Sequence, residues 1–240
     1  MILAVIPARS GSKGLAGKNL RSFGGVPLIL HTIKAAQDSA FLDDCLVSTD
    51  SDDIASVARG AGANVPFRRP PELATDESSV WDVVRHAVQQ WEQQTKRRLD
   101  AVALLQPTSP LRLAEDIDAC IRKFLDLEAD FCATGVVSHD SPYFNMVECT
   151  PASSFVRACS PVMHGHIRRQ NAPPVYALNG AVYVAKRSLV DSIHNQFHVE
   201  RFALSVMPPE RSVDIDSSHD FDLAQWLFSR RNGAGAVDVV

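Results

Sequence analysis

Ile2-Leu3-Ala4-Val5-Ile6, followed at once by Pro7-Ala8-Arg9-Ser10-Gly11-Ser12-Lys13-Gly14-Leu15-Ala16-Gly17-Lys18-Asn19-Leu20, is the stretch from which the fold is read. The opening run is apolar without alternation and rich in β-branched residues, the pattern of a strand covered on both faces of a parallel sheet. The segment after it is polar. Its glycines let the backbone curl with N–H groups inward, and Arg9, Lys13 and Lys18 add fixed positive charge. Such a turn can hold a triphosphate, because backbone donors and cations replace its hydration. The bland alternative is a plain exposed loop between strand and helix. A Walker loop requires G-x-x-x-x-G-K-[ST], but Asn19 follows Lys18 and Ser12 stands where the first glycine is needed. The G-x-G-x-x-G fingerprint fails too, since Gly11 and Gly14 lack a partner at position 9.

Outward from this stretch, short apolar runs alternate with amphipathic ones. A helix is expected from Leu28 to Ala40, a strand from Asp44 to Ser48, and a helix where Ile54, Val57, Ala58 and Ala61 recur. Val80, Val83, Val84, Ala87, Val88 and Trp91 form one helical stripe, and Ile117, Cys120, Ile121, Phe124 and Leu125 another. Ala101 to Leu105 is a continuous apolar strand between them. The alternation over the first 135 or so residues predicts an α/β fold with a doubly wound, mainly parallel sheet. Loops after the strands then gather on one edge and make the ligand crevice. From Ser138 to Val175, prolines at 142, 151, 161, 173 and 174 and an Arg/His cluster break the pattern, which reads as an excursion and a candidate oligomerisation arm. The fold resumes at Leu178 to Ala185, with a further strand at Phe202 to Val206. Residues 1–230 read as one domain and 231–240 as a frayed tail.

Composition bounds the function. The chain has 240 residues, 45 % of them apolar, enough for a sizeable core. A net charge of −4 supplies no basic field for nucleic acid. The five cysteines are odd in number and include no C-x-x-C pair, so neither a disulfide framework nor a zinc ribbon is indicated. Cys120 and Cys132, in apolar surroundings, read as small core residues. The apolar run after Met1 lacks a basic region before it and stops at Pro7, which suits a strand rather than a signal peptide. No apolar stretch approaches the ~20 residues of a membrane span. The expectation is a cytoplasmic protein with no membrane contact.

The loop after the first strand resembles the signature loop of the acylneuraminate cytidylyltransferases, the CMP-sialic acid synthetases. The similarity continues through Val47-Ser48-Thr49-Asp50-Ser51, Arg69-Pro70-Pro71-Glu72-Leu73-Ala74, Leu104-Leu105-Gln106-Pro107-Thr108-Ser109-Pro110-Leu111-Arg112, Asn179-Gly180-Ala181-Val182-Tyr183 and Val213-Asp214-Ile215-Asp216. The blocks fall in the family's order over residues 1 to 225. The resemblance implies a Rossmann-like nucleotidyltransferase that binds CTP and a nonulosonic sugar acid, uses Mg²⁺ and forms a homodimer. It implies that Arg9, Ser10, Gly11, Ser12, Lys13, Lys18 and Asn19 meet the triphosphate and ribose, and that Arg69 and Ser78 flank the nucleotide. Gln106, Tyr183 and Arg169 fall to the sugar acid, Arg169 reaching an active site from the dimer arm. Asp214 and Asp216 match the metal-binding aspartates. The resemblance further implies that Arg169, Lys13, Lys18 and Asp216 carry the catalysis.

Each implied role has its own chemistry in the residues. Asp214 and Asp216, two apart on an extended segment, put both carboxylates on one face. A pair so placed repels unless a cation lies between, and Mg²⁺ favours carboxylate oxygens shared with phosphates. Either aspartate could instead cap the helix that follows. Arg168 and Arg169 suit a sugar carboxylate or phosphate, or form a plain solvated basic patch. His164-Gly165-His166 beside them has no carboxylate or cysteine to complete a metal set. Gln106 ends a buried strand, where a ligand site of an α/β sheet lies, though it could simply satisfy a loop carbonyl.

Two positions bear on the sugar. Position 177 is Ala where some CMP-sialic acid synthetases have Arg, and Ser141-Pro142-Tyr143-Phe144-Asn145-Met146 resembles a stretch shared by several sugar-acid branches, including legionaminic-type enzymes. The Kdo cytidylyltransferases, an alternative, have a first loop resembling A-R-x-x-S-T-R-L-P-G-K, with which Ser10-Gly11-Ser12-Lys13-Gly14 and Lys18-Asn19 agree less well. A non-catalytic nucleotide-sugar-binding protein is the alternative from another class, and it would have lost an acidic or basic position present here. No residue stands out as a general base.

Overall fold

The computed structural model describes residues 1–11, 14–149, 156–159 and 172–233. The opening run forms β1 (Ile2–Pro7). After it come a small hairpin of β2 (Ser22–Phe23) and β3 (Val26–Pro27), α1 (Leu28–Gln37), β4 (Asp44–Ser48), α2 (Asp52–Gly60), α3 (Val80–Thr95), β5 (Ala101–Leu105), α4 (Ala114–Asp126) and β6 (Phe131–Val137). Then follow β7 (Val147–Cys149), β8 (Val156–Ala158), β9 (Tyr176–Lys186), α5 (Arg187–Val190), β10 (Phe202–Val206) and α6 (Ser218–Arg231). The expected α/β class is found. A six-stranded sheet has the order β10-β6-β9-β5-β1-β4.

β1 pairs in parallel with β4 and β5, and β10 in parallel with β6. β9 runs antiparallel to both its neighbours. The excursion explains this direction. The chain leaves the end of β6 at Val137 and returns at Tyr176, and these two residues pair. Among the described residues no crossover helix intervenes, and the excursion links the paired ends of β6 and β9 as an outsized hairpin connection. Within it, β7 and β8 pair as a separate two-stranded ribbon.

The unbroken apolar run of β1 follows from burial on both faces. Ala4 and Ile6 pack with Ile29 and Ile33 of α1, Ile54 of α2 and Ile121 of α4. Leu3 and Val5 pack with Trp81, Val84, Val88 and Trp91 of α3. Of the second helical stripe, Leu125 is exposed while Ile117, Cys120, Ile121 and Phe124 are buried. Cys120 and Cys132 are free, buried core residues as expected. α1 stops at Gln37 rather than Ala40, because the Ser39 hydroxyl and the Ala40 amide turn to donate to Asp118 of α4.

A third, smaller cluster positions the site. Leu15 from the loop after β1 packs with Phe23, Leu28, Leu111, Ile215 and Phe221. It draws that loop against the segment that precedes α6. Among the described residues, no helix is long and apolar enough to cross a membrane.

Candidate active site

A cleft of about 600 Å³ opens at the C-terminal ends of β1 and β5, where a ligand site of such a sheet belongs. Pro7, Arg9, Gly14, Lys18 and Asn19 line one wall, and Gln106, Pro107 and Thr108 the floor. Asp76 and Asp216 complete it.

The loop wall is shaped by its own polar residues. Asn19 is buried, and its Nδ2 donates to the Arg9 carbonyl at 2.9 Å, so it holds the loop's curl. Ser10 is gripped by Asp50 at the end of β4. Its amide donates to Oδ1 at 2.9 Å and its hydroxyl to Oδ2 at 2.6 Å. Burial pushes the Asp50 carboxyl upward, but the two bonds from Ser10 and the nearby Arg69 charge outweigh it and leave it below the ordinary carboxylate range. Arg9 pairs with Asp76 across the mouth at 2.5 Å.

Lys18 joins the two sides. Its ammonium is largely buried, donates to the Ile215 carbonyl, and lies 3.5 Å from Asp216 Oδ1. Gly14 makes the same approach with backbone alone, since a Cβ there would stand 2.0 Å from the Asp216 carbonyl oxygen. Ile215 is fully buried and its amide donates to the Thr108 carbonyl at 2.9 Å, fixing the segment to the floor.

Asp214 and Asp216 therefore flank an anchored residue. The Asp216 side chain is 81 % exposed, while Asp214 is half-buried and its Oδ1 is buried without a hydrogen-bond partner. Burial raises the Asp214 carboxyl above its ordinary range, and the Asp216 charge adds to this. Thr108 lies near enough to oppose the shift, yet its Oγ1 forms no aligned hydrogen bond with the carboxylate. Neither aspartate caps α6. Ser217 does, its hydroxyl accepting from the Asp220 amide while Asp220 accepts from the Ser217 amide. An orphaned carboxylate oxygen beside a second carboxylate is a donor set that fits a hard cation seeking oxygen ligands.

The remaining residues named from sequence divide. Arg69 is buried, donates through Nε to Ser48 Oγ at 3.1 Å and through Nη2 to the Ser48 carbonyl, and is lowered to about 10 by burial. Ser78 donates to the Glu72 carbonyl at 2.9 Å. Tyr183 packs on Phe131, its phenol raised by burial and then by the Asp214 charge. None of these three lines the cleft, and neither do Ser10 and Gly11. Ser12, Lys13 and Arg169 lie outside the described residues, as does the end of the tail. Sequence reasoning missed Asp50, Asp76, Thr108 and Asn179 as shaping groups. Asp50, Thr108 and Asn179 stand inside the blocks that carry the resemblance, whereas Asp76 stands in none.

A family model described as Cytidylyltransferase matches residues 3–158. The chain is 37 % identical to the CMP-N,N'-diacetyllegionaminic acid synthase of Legionella pneumophila, over 94 % of this chain and 95 % of that protein. It is 32 % identical to the N-acylneuraminate cytidylyltransferase of Escherichia coli over 96 % of its own length and 53 % of that protein's. Among solved structures, a CMP:2-keto-3-deoxy-manno-octonic acid synthetase complexed with CTP matches with a TM-score of 0.68 at 17 % identity, covering 96 % of this chain and 99 % of the other, a likeness of fold alone.

Proposed function

The chain belongs to the cytidylyltransferase family, and from that premise we propose that it transfers CMP from CTP to the anomeric hydroxyl of a sialic- or legionaminic-type nonulosonic acid, with release of pyrophosphate. The observation that carries this reading is the meeting of Lys18 with the Asp214–Asp216 segment on a cleft floored by Gln106. Cationic loop, Asp216 and strand-end amide line one opening, with the half-buried Asp214 carboxylate beside Gln106. That is the equipment for a triphosphate, a divalent cation and a polyhydroxylated acid.

In this mechanism the hydroxyl oxygen bonds to the α-phosphorus as the bond to the bridging oxygen breaks, and charge builds on the non-bridging and leaving oxygens. Lys13 and Lys18 are assigned to the triphosphate, whose charge they offset, and Arg169 is assigned to the same task from a partner's arm. Asp214 and Asp216 would hold Mg²⁺, which would supply positive charge to offset that of the phosphates. Arg9 exchanges Asp76 for phosphate as the nucleotide enters. Ser10, Gly11, Ser12 and Asn19 shape the loop around the triphosphate and ribose, and Arg69 and Ser78 brace the nucleotide side from behind. Gln106 faces the sugar acid.

A homodimer is proposed on the exposed Val137, Tyr176 and Val206 at the ends of adjacent strands, with Met146 and Val147 of the excursion. A reducing, cytoplasmic setting suits the buried thiol pair Cys120–Cys132. The test is to incubate the protein with CTP, Mg²⁺ and a panel of sialic, legionaminic, pseudaminic and Kdo-type acids while following pyrophosphate. Turnover with a nine-carbon acid is expected. Turnover with the Kdo-type acid alone would move the assignment to the eight-carbon alternative, and silence across the panel would leave a binding protein.

A further inference from the structure

We propose that Asn179 is a positioning residue that holds the Asp214 carboxylate toward the cleft without touching substrate. The inference rests on the reading of Asp214 as a metal-facing carboxylate. A half-buried carboxylate with an unpartnered oxygen does not keep such a place unaided, since a small backbone shift would let it turn to water. Something must restrain the segment from both ends. Downstream, the buried Ile215 and its 2.9 Å bond to the Thr108 carbonyl do so. Upstream, the restraint is Asn179.

The Asn179 side chain is buried and its bonds are internal. Oδ1 accepts from Thr134 Oγ1 of β6 at 2.7 Å and from the Ala181 amide at 3.2 Å. Nδ2 donates to Ser212 Oγ at 2.9 Å. Ser212 stands two residues before Asp214, and its hydroxyl in turn donates to the Pro208 carbonyl at 2.8 Å. The central sheet thus reaches the acidic segment through one amide. Gly180, next in sequence at φ +70°, lets the same stretch of β9 pass under the carboxylate, because a Cβ there would stand 3.0 Å from Asp214 Oδ2 and 3.6 Å from Gln106 Nε2. Asn179 and Gly180 together set Asp214 beside Gln106, one by holding the segment and the other by leaving room for it.

The experiment compares CTP binding by calorimetry, without sugar acid, in Mg²⁺ and in EDTA, for the wild type, Asn179→Ala and Ser212→Ala as full chains. In the wild type Mg²⁺ is expected to strengthen CTP binding. In both variants that strengthening is expected to fall at least about tenfold while affinity in EDTA stays within about threefold. A merely structural role would weaken binding equally in the two buffers. Should Asn179→Ala not fold, Ser212→Ala, which leaves Asn179 in place and cuts its link, decides by the same ratio. Variants that keep the wild-type ratio, or lose affinity equally in both buffers, overturn the positioning role. A wild type with no Mg²⁺ effect on CTP overturns the metal reading of Asp214 and this inference with it, while pyrophosphate release on the sugar panel would still stand for the transfer itself.

Discussion

The two walls of the cleft are built by opposite means. The wall after β1 is contiguous in sequence, cationic and glycine-rich, and is shaped by short-range bonds such as Asn19 to the Arg9 carbonyl. The acidic wall is a single extended segment that owes its place to distant partners: Thr108 after β5, Asn179 on β9 and Lys18 from the opposite wall. A local loop can be altered one residue at a time and keep its curl. The acidic segment carries an unfavourably buried carboxylate, so loosening any one anchor should release it.

Removing the carboxylates is the strongest way to break the comparison. Asp214→Ala and Asp216→Ala should each lower kcat by at least about 100-fold, roughly 2.7 kcal/mol in the barrier, with circular dichroism unchanged. Near-normal pyrophosphate release by either would remove the acidic wall from the chemistry. Asp214 also carries an opposite effect on stability. Its folded pKa is raised, so it adds stability below the unfolded pKa and loses it as pH rises through the folded one. At neutral pH in metal-free buffer, Asp214→Asn should therefore raise the thermal midpoint, by about 2 °C. A lower midpoint would mean the carboxylate is not held against its preference.

Next in size is the contact between the walls. Gly14→Ala forces a Cβ into the Asp216 carbonyl, and the resulting shift should cost about 1–3 kcal/mol of stability and slow turnover on both counts. Calorimetry and rate measurement on one preparation test it, and an unchanged enzyme would show that the walls do not depend on each other. Asp50→Asn loosens only the cationic wall. It should raise the KM for CTP more than it lowers kcat. Because the folded pKa of Asp50 is depressed, its contribution to stability is present above the unfolded pKa and is lost as pH falls through the folded one. The variant's stability deficit should accordingly shrink in acid. The smallest effect belongs to the rim, where Asp76→Asn frees Arg9 for phosphate and should lower the KM for CTP about threefold in steady-state assays. A raised KM would make Asp76 a nucleotide contact instead.

The sequence by itself determined the class of fold, because period and unbroken apolar runs record burial directly: β1 has Ile6 on one helical layer and Leu3 on the other. It also determined the cationic wall and the strand-end Gln106, since loop chemistry is local and blocks in family order name it. Tertiary structure alone decided which polar groups serve which purpose. It turned Arg69 inward onto Ser48, gave Ser10 to Asp50, set Arg9 against Asp76, and brought Asn179 to the acidic segment. The helix cap that Asp214 or Asp216 could have supplied went to Ser217, leaving Asp214 Oδ1 without a partner. The reason is physical. Hydrogen-bond partners are chosen by direction and distance across the sheet, and contacts such as Lys18 with Ile215 join residues that sequence separation hides.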